Sequence, residues 1–504
     1  MRTLALGLVG LVVSSSPSMV AAFEVNQSEA AVAHMRAAAE AAQRGDCRTA
    51  LKKVGPVVDG KTTELPERLL AAAYDFAIVC NARLNDNEKA GRYARRATAL
   101  TEASDTAWAM RFFADYAAKR FPEAVETLEA MTQGRGAALN GLDPRWLWGL
   151  RGALDKAKLA ALEKRVLTIV TGSSYDPTDP AFAIEDGREN AQVILARRLL
   201  AEGDREGASK LVAGLTSVST ILEVLFTPDL RAASRLSPDL QAAADADSKR
   251  LRDLRVRFPD SLRLLIREAN TLRLLGRPAE AVAVLETARS RVTGTSPFAD
   301  QGDLAPWWWN ELGYSHGMAG NYDAMVASFT SGAALNEGGA STPNVSQVIN
   351  LGFQQIAFGK FGDALRTVNA AFLKRAMSPF GRMQALSVRG CALALSGQTA
   401  EAQAVLREAT AHASDDPATV TDLLLCNADD EGAATSIVRR LADPQHRRIA
   451  MKELAHYAAP SSQEPKDPRQ VRREQVAQRA DVQAALNAAG GALTIQLQRT
   501  ALDW

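Results

Sequence analysis

The chain has 504 residues, of which 47% are apolar and 6% aromatic, with 59 basic against 58 acidic side chains. The near-zero net charge excludes the basic surface expected of a protein that binds nucleic acid or an anionic membrane, so we predict no nucleic-acid partner. A chain of this length would normally form about two to four domains, unless it is built of repeats that contact only their neighbours. Abundant alanine and few runs of Val, Ile or aromatic residues predict helices throughout.

The first 22 residues have the pattern of a secretion signal. Arg2 supplies the positive charge, Leu4–Val13 forms the apolar segment, and Val20–Ala22 offers a small-residue cleavage site. The apolar segment is too short to span a bilayer; the alternatives to a cleaved signal are an uncleaved anchor and a buried helix. No later stretch is apolar enough to cross a membrane. We therefore predict a chain exported to the periplasm of a Gram-negative bacterium, with no integral membrane segment after cleavage.

Residues 23–258 read as a divergent region of paired helices. Apolar residues recur three and four positions apart on both sides of short turns, which indicates amphipathic helical hairpins. A longer helix precedes a soft domain boundary near Phe258. The predicted helices are Asn26–Gln43, Cys47–Val58, Leu65–Leu84, Glu88–Leu100, Thr106–Lys119, Pro122–Met131, Arg145–Leu150, Asp155–Val170, Phe182–Ala201, Arg205–Leu215 and Asp239–Arg257.

The repeats are clearest between residues 259 and 442. Trp309, Leu312 and Gly313 precede a turn at Gly320–Asn321, and Phe329 follows it, so that apolar residues share one stripe of each helix. Small residues inside these helices would let neighbouring helices approach closely, and the turn glycines would accept a left-handed backbone. These small residues are Ala269, Gly313, Gly352 and Gly390 in the first helices, and Ala281, Ala364 and Ala402 in the second helices.

This pattern resembles the tetratricopeptide repeat (TPR), a hairpin of about 34 residues with a Trp, a Leu-Gly pair, an Ala, an aromatic residue and a closing Pro. Trp309, Leu312–Gly313 and Phe329 match the pattern, whereas Met325 stands where Ala is usual and the copies here are longer. The resemblance implies an all-α fold, a right-handed α-α superhelix of stacked helical hairpins, because one hairpin cannot bury its apolar face alone. Four copies are clear and about six more are degenerate.

Four cysteines suit an exported chain. Cys47 and Cys80 are separated by about one repeat, and so are Cys391 and Cys426. We predict two disulfides that each link neighbouring repeats; the alternative is four buried thiols, since Cys is a common small core residue. The wide spacing of the cysteines disfavours a metal site, and no cofactor is expected.

The C-terminal part, residues 443–504, is predicted to differ from the repeats. Asp443–Ala458 should form a capping helix, and Pro460–Pro468 a proline-rich linker. Arg469–Ala489 follows as a helix of mixed charge, which we interpret as a solvated surface helix. Trp504 ends the chain and is a candidate for docking into the array or into a partner.

One catalytic pattern requires an explanation. Residues 313–317 satisfy the G-x-S-x-G pattern of serine hydrolases, with Ser315 as the nucleophile and His316 beside it. That pattern needs a sharp turn between a strand and a helix, whereas here it lies inside a predicted helix. We therefore interpret it as a chance match, and predict no catalytic residue.

The resemblance also implies a binding surface. In TPR arrays the first helices line a groove that holds extended peptides or partner helices, and aromatic, Asn and Arg side chains suit such a groove. Trp309 is expected in the core, whereas Trp307 and Trp308 either join the groove or cover a junction. The predicted groove residues are Arg263, Asn270, Arg273, Trp307, Asn310, Tyr314, Ile349, Phe353 and Ile356.

Together these features predict a non-catalytic periplasmic scaffold or adaptor that binds a protein or peptide partner in the cell envelope. The alternatives are an accessory subunit of an envelope polysaccharide or protein export system and, resting on Ser315 alone, a serine hydrolase.

Overall fold

The computed structural model describes residues 29–60, 65–177, 179–234, 238–335, 344–459 and 465–499. The predicted secretion signal and Trp504 lie outside these residues. The chain divides into two compact units, Met1–Arg198 and Leu199–Trp504, with the division inside one helix. The boundary expected near Phe258 is not where the units divide, because the helices on its two sides pack against each other.

The first unit consists of helices. They are α1 (Glu29–Gln43), α2 (Cys47–Val58), α3 (Glu67–Arg83), α4 (Asn87–Ala97), α5 (Asp105–Ala117), α6 (Phe121–Thr132), α7 (Gly136–Asn140), α8 (Pro144–Lys156), α9 (Ala160–Thr171), α10 (Pro180–Ile184) and α11 (Gly187–Ala201). Consecutive helices pack as hairpins, most closely α1 with α2 and α3 with α4.

The second unit continues the same architecture. Its helices before the clear repeats are α12 (Arg205–Val212), α13 (Val218–Leu225), α14 (Pro228–Ser234) and α15 (Leu240–Arg257). The repeats are α16 (Leu262–Leu274), α17 (Pro278–Glu286), α18 (Arg289–Val292), α19 (Gln301–Met318), α20 (Tyr322–Ala333), α21 (Val345–Ala357), α22 (Phe361–Thr367), α23 (Pro379–Leu395), α24 (Thr399–Ala411), α25 (Pro417–Cys426) and α26 (Asp430–Ala442), with a 3₁₀ turn at Phe372–Lys374. The prediction of an all-α fold of stacked, TPR-like helical hairpins is confirmed.

The C-terminal part departs from its prediction. The capping helix is present as α27 (Pro444–Leu454), but the mixed-charge helix is two helices, α28 (Pro468–Ala477) and α29 (Ala480–Ala488). After α29, β2 (Thr494–Ile495) pairs in parallel with β1 (His456–Tyr457). This short pairing ties the end of the described chain back to the residues that follow α27.

A left-handed residue forms the turn of most helical hairpins in the described part of the chain. In the four clear repeats it is a glycine, with φ between 68° and 80° at Gly276, Gly320, Gly359 and Gly397. In the divergent hairpins the same place is often taken by another residue. The turn residues of the divergent hairpins are Gly45, Asn85, Lys119, Lys158, Gly203 and Ala428. Because only glycine takes this conformation without a steric cost, these substitutions explain why the sequence repeats look degenerate while the hairpins persist.

Close helix packing depends on the small residues predicted for it. A Cβ atom on Gly313 would lie 2.7 Å from the Phe329 ring, and one on Gly352 would lie 2.6 Å from a Val388 methyl group. A Cβ atom on Gly390 would overlap Leu423 of the next hairpin. These contacts hold each first helix against its own partner helix and against the next hairpin.

The tryptophan predicted to lie in the core was the wrong one. Trp308 is fully buried and its indole nitrogen donates to the Leu285 carbonyl oxygen over 3.2 Å. Trp309 is only half-buried and packs edge-on against Trp308, with the Arg289 guanidinium 5.0 Å from its ring centroid.

The two cysteine pairs have different states. Cys391 and Cys426 are disulfide-bonded and connect α23 to α25, with their Cα atoms 5.1 Å apart. The second predicted disulfide is not formed: Cys47 and Cys80 are buried free thiols in one small cluster with Ala41 and Ala50. Burial, with a hydrogen bond to Cys47, raises the pKa of Cys80 to about 12, so that its thiol is the stable form.

Candidate protein-binding groove

The structure brings two of the predicted groove residues, Arg273 and Tyr314, next to each other. Arg273 of α16 and Glu311 of α19 form a buried ion pair, with 2.6 Å between Nε and Oε1 and 3.1 Å between Nη2 and Oε2. The Arg273 guanidinium also lies 5.3 Å from the Tyr314 ring centroid. Arg273 and Tyr314 are therefore adjacent, but neither is freely exposed, since their exposed fractions are 2% and 5%.

Asparagine side chains join the next pair of hairpins. Asn310 of α19 is fully buried, and its Oδ1 accepts a hydrogen bond of 2.8 Å from Nδ2 of Asn350 on α21. The Asn310 Nδ2 atom has no partner among the described residues. Asn310 therefore connects neighbouring first helices, and its side chain is not exposed.

The remaining predicted residues differ in exposure. Arg263, Asn270, Trp307 and Phe353 are half-buried. Ile349 and Ile356 are buried among the apolar side chains of their own and the next hairpin, and so belong to the core. Trp307 packs against the apolar cluster of α16, α17 and α19, and lies on the same side of α19 as Asn310 and Tyr314 by helical spacing.

The C-terminal part of the same chain lies against one of the predicted groove residues, Phe353. Arg469 of α28 lies with its guanidinium 4.5 Å from the Phe353 ring centroid. Its Nη1 is 3.4 Å from Asp422 Oδ2 on α25, and its Nη2 is 2.6 Å from Asp467 Oδ2. We define the inner surface as the area formed by Arg273, Tyr314, Phe353 and Asp422, next to which Arg469 is seated.

A second arginine of α28 extends this contact. Arg473 is buried and pairs with Asp422, and its Nε lies 3.9 Å from Glu453 of α27. Glu453 is also held by Arg440 of α26 through two bonds of 2.7 Å. The interpretation of Arg469–Ala489 as a solvated helix is therefore wrong for its first turns, because they face carboxylates on α25 and α27.

Burial and charge act against each other at these carboxylates. Desolvation raises the pKa of Asp422, although Arg473 and Arg469 partly oppose that effect. At Asp467, desolvation also raises the pKa, but the adjacent Arg469 outweighs it and the net pKa is lowered. The same balance, with Arg440 and Arg473 as the cations, lowers the pKa of Glu453. Asp422 is thus the carboxylate that depends most on its arginine partners to remain charged.

Sequence reasoning missed Asp422, Asp467, Arg469 and Arg473 as site residues. One signal was present: Asp422 is an isolated carboxylate in an otherwise apolar helix, before Leu423, Leu424 and Leu425. A charge at such a position requires a partner, which here comes from 47 and 51 residues further along the chain.

Ser315 does not have the geometry of a nucleophile. It is fully buried in α19, and its Oγ donates a 2.8 Å hydrogen bond to the Glu311 carbonyl oxygen one turn earlier. No strand precedes it, since α19 is continuous from Gln301 to Met318. The hydrolase alternative therefore lacks its structural basis at this serine.

Within the described ranges there is no group of three His, Cys, Asp or Glu side chains arranged to hold a metal ion. Nor does that part of the chain contain a helix with the length and apolar character needed to cross a membrane.

No family model and no curated protein matches the chain. Among solved structures, it is similar to yeast Tom70, with 12% identity, a TM-score of 0.34, and coverage of 83% of this chain and 93% of that one. It is also similar to Naa15/Naa10 bound to HypK-THB (13% identity, TM-score 0.25, 84% and 65% covered) and to the APC/C hetero-tetramer Cut9–Hcn1 (14%, 0.30, 83% and 82%). At these TM-scores the likeness supports no argument about function. The class, a TPR-like array of helical hairpins, follows from the repeats and packing of the chain itself.

Proposed function

We propose that this protein is a non-catalytic scaffold that binds a protein partner on the inner surface of its second unit. The observation that supports the proposal is the seated α28: aromatic and charged side chains from three hairpins already hold a helix there, through Arg469 against Phe353 and Asp422. Helix binding in a groove lined by helices needs such anchors, namely a stacked guanidinium and a desolvated carboxylate.

Trp307 lies on the same side of α19 as Tyr314 by helical spacing, and it is a further residue of this face that a partner would contact. Its side chain is half-buried, one turn before Asn310, and it offers a large amphipathic area at little entropic cost. Asn270 of the neighbouring first helix is half-buried as well and supplies a hydrogen-bonding side chain.

A crosslinking experiment tests this proposal. A photo-crosslinking amino acid would replace Trp307 in the full chain, and the matched control would carry it at Glu401, an exposed position on the second helix α24. We expect a covalent adduct with a defined partner protein from position 307 and none from position 401. Equal labelling from both positions, or no adduct from 307, would contradict the proposal.

We also propose that the scaffold acts in the periplasm after export. The support is the signal pattern of residues 1–22 together with the Cys391–Cys426 disulfide, since disulfides persist in oxidising compartments. N-terminal sequencing of protein from a periplasmic fraction should begin at Phe23. Protein that retains Met1 and stays in the cytoplasmic fraction would contradict export.

A further inference from the structure

The C-terminal part of the chain is held to the second unit in two different ways. From Val476, in the last turn of α28, onward it is held by apolar side chains: Val476, Val482, Leu486, Ile495 and Leu497 are buried in one cluster with helices α13, α26 and α27. The preceding stretch, from Asp467 to Arg473, is held by charge, through the pairs of Arg469, Arg472 and Arg473 with Asp422 and Asp430. Its only large aliphatic residue, Val471, is 42% exposed.

This difference means that the charged stretch is the part that a competing segment can displace. Removing the apolar part would open a core, at about 1.5–3 kcal/mol for each large side chain exposed. Breaking a desolvated ion pair has a large free-energy cost when one charge is left unpaired. The cost is small when an equivalent charge takes the vacated place, because the Coulombic attraction and the desolvation penalty of the new pair nearly cancel. An incoming guanidinium would therefore replace Arg469 without disturbing α29 or the strand pairing.

The site is suited to arginine in particular. Phe353 offers a ring face at 4.5 Å, Asp422 offers carboxylate oxygens, and the Tyr314 ring closes the site beside the Arg273–Glu311 pair. A planar guanidinium can lie flat on the ring while its edge donates hydrogen bonds to a carboxylate, whereas an ammonium is a compact charge with no plane to stack. Asp467 belongs to the same stretch as Arg469, so a competing segment would bring a charge partner of its own.

We propose that the inner surface is a receptor site for an arginine-bearing helix of a partner protein, and that Arg469 of α28 occupies this site until the partner displaces it. The partner class is a helix with two arginines four positions apart, as Arg469 and Arg473 are, because that spacing puts both guanidinium groups on one face. This inference rests on the proposed scaffold function and names the partner that the function requires.

A peptide with the sequence of residues 466–489, labelled with a fluorophore, provides the probe. It would be titrated into the full wild-type chain and into the R469A/R473A double variant, in which the site is vacated. We expect at least tenfold tighter binding to the double variant, loss of that binding when D422N is added, and at least tenfold weaker binding of a peptide with lysine in place of Arg469. Equal affinity for the wild type and the double variant, or indifference to Asp422, would overturn the proposal.

Two controls keep the test decisive. R479A removes an exposed arginine that pairs with the exposed Asp481 two residues away, outside the charged stretch, and should bind the peptide as the wild type does. The double variant leaves the Asp422 carboxylate without its arginine partners, which could by itself change the local structure. A second measurement therefore uses the unmodified protein. In wild-type protein with excess peptide, hydrogen exchange should accelerate in residues 468–475 and stay unchanged in α29; unchanged exchange in both would overturn the proposal.

The two experiments distinguish failure of the arginine site from failure of the scaffold function. If position 307 still crosslinks a partner while the peptide fails to bind, only the arginine site is refuted. If the peptide binds the vacated site while position 307 captures nothing, the scaffold proposal is contradicted at Trp307, and only the affinity of the inner surface for an arginine-bearing helix is established.

Discussion

At the scale of single residues, backbone conformation at the turns separates clear repeats from divergent ones. Gly397 has φ of 80° in the turn between α23 and α24, and Ala428 has φ of 62° in the equivalent turn between α25 and α26. A Cβ atom in this region costs about 1–2 kcal/mol because it approaches the next carbonyl oxygen.

Exchanging residues between these two turns tests this explanation. We expect Ala428→Gly to increase the free energy of unfolding by about 1 kcal/mol. Gly397→Ala should decrease it by a similar amount, since no other atom lies within 4 Å of the added methyl group and only the backbone conformation changes. Urea denaturation of both variants provides the measurement, and effects of the same sign would show that the turns are not equivalent.

A second residue-scale feature is the carboxyl group of Asp75 on α3. Burial raises its pKa to about 6, while the hydrogen bond of 2.5 Å donated by Ser104 Oγ acts in the opposite direction. A carboxyl group with a raised pKa binds its proton more tightly in the folded state than in the unfolded state. It therefore destabilises the fold as the pH rises from about 4 through 6.

Asp75→Asn should remove this pH dependence. We expect the thermal midpoint of the wild type to decrease, relative to that of the variant, as the pH is raised from 5 to 7. The Asn variant keeps a side-chain oxygen that can accept from Ser104. Parallel thermal melts at pH 5, 6 and 7 give the comparison, and an identical pH profile of the two proteins would rule out a titrating Asp75.

At the scale of elements, the Cys391–Cys426 disulfide connects the first helices of two adjacent hairpins across 35 residues. Closing a loop of this size restricts the unfolded chain and is worth about 3–4 kcal/mol. Both cysteines lie in the same apolar cluster as Val405 and Leu423, so the loss would be concentrated in α23–α25.

Replacing Cys391 with Ser should therefore lower the free energy of unfolding by about 3 kcal/mol. Cys47→Ser serves as the control for a buried cysteine without a disulfide, and its effect should be unchanged by reductant. Denaturant melts with and without dithiothreitol, together with thiol counting, make the measurement. Four free thiols in exported, denatured protein would refute the disulfide.

At the scale of the whole second unit, its last residues belong to the core that its first helices form. Leu486 of α29, Ile495 of β2 and Ile221 of α13 lie in one buried cluster. Backbone contacts agree, since Gln498 donates to the Leu274 carbonyl oxygen over 2.8 Å. The C-terminal part is therefore a structural component of the unit, in addition to its role at the inner surface.

Leu486→Ala should destabilise the unit by about 2–5 kcal/mol, because it leaves a cavity at a side chain that is 2% exposed. Val471→Ala, at a side chain that is 42% exposed, should change stability by less than about 0.5 kcal/mol. Hydrogen exchange in α13 should rise with the first variant and not with the second. Unchanged exchange in α13 would mean that the ends of the unit do not share one cooperative core.

The amino-acid sequence alone determined the helical class, the repeat spacing, the small residues at close contacts and the pairing of Cys391 with Cys426. These depend on local periodicity and on neighbouring repeats, which a linear pattern contains. Only the tertiary structure decided that Trp308 rather than Trp309 is the core indole, that Cys47 and Cys80 stay as thiols, and that Arg469 and Arg473 are seated against Phe353 and Asp422. Those outcomes depend on contacts between residues far apart in the chain, where charge pairing and burial outweigh the local pattern of a solvated helix.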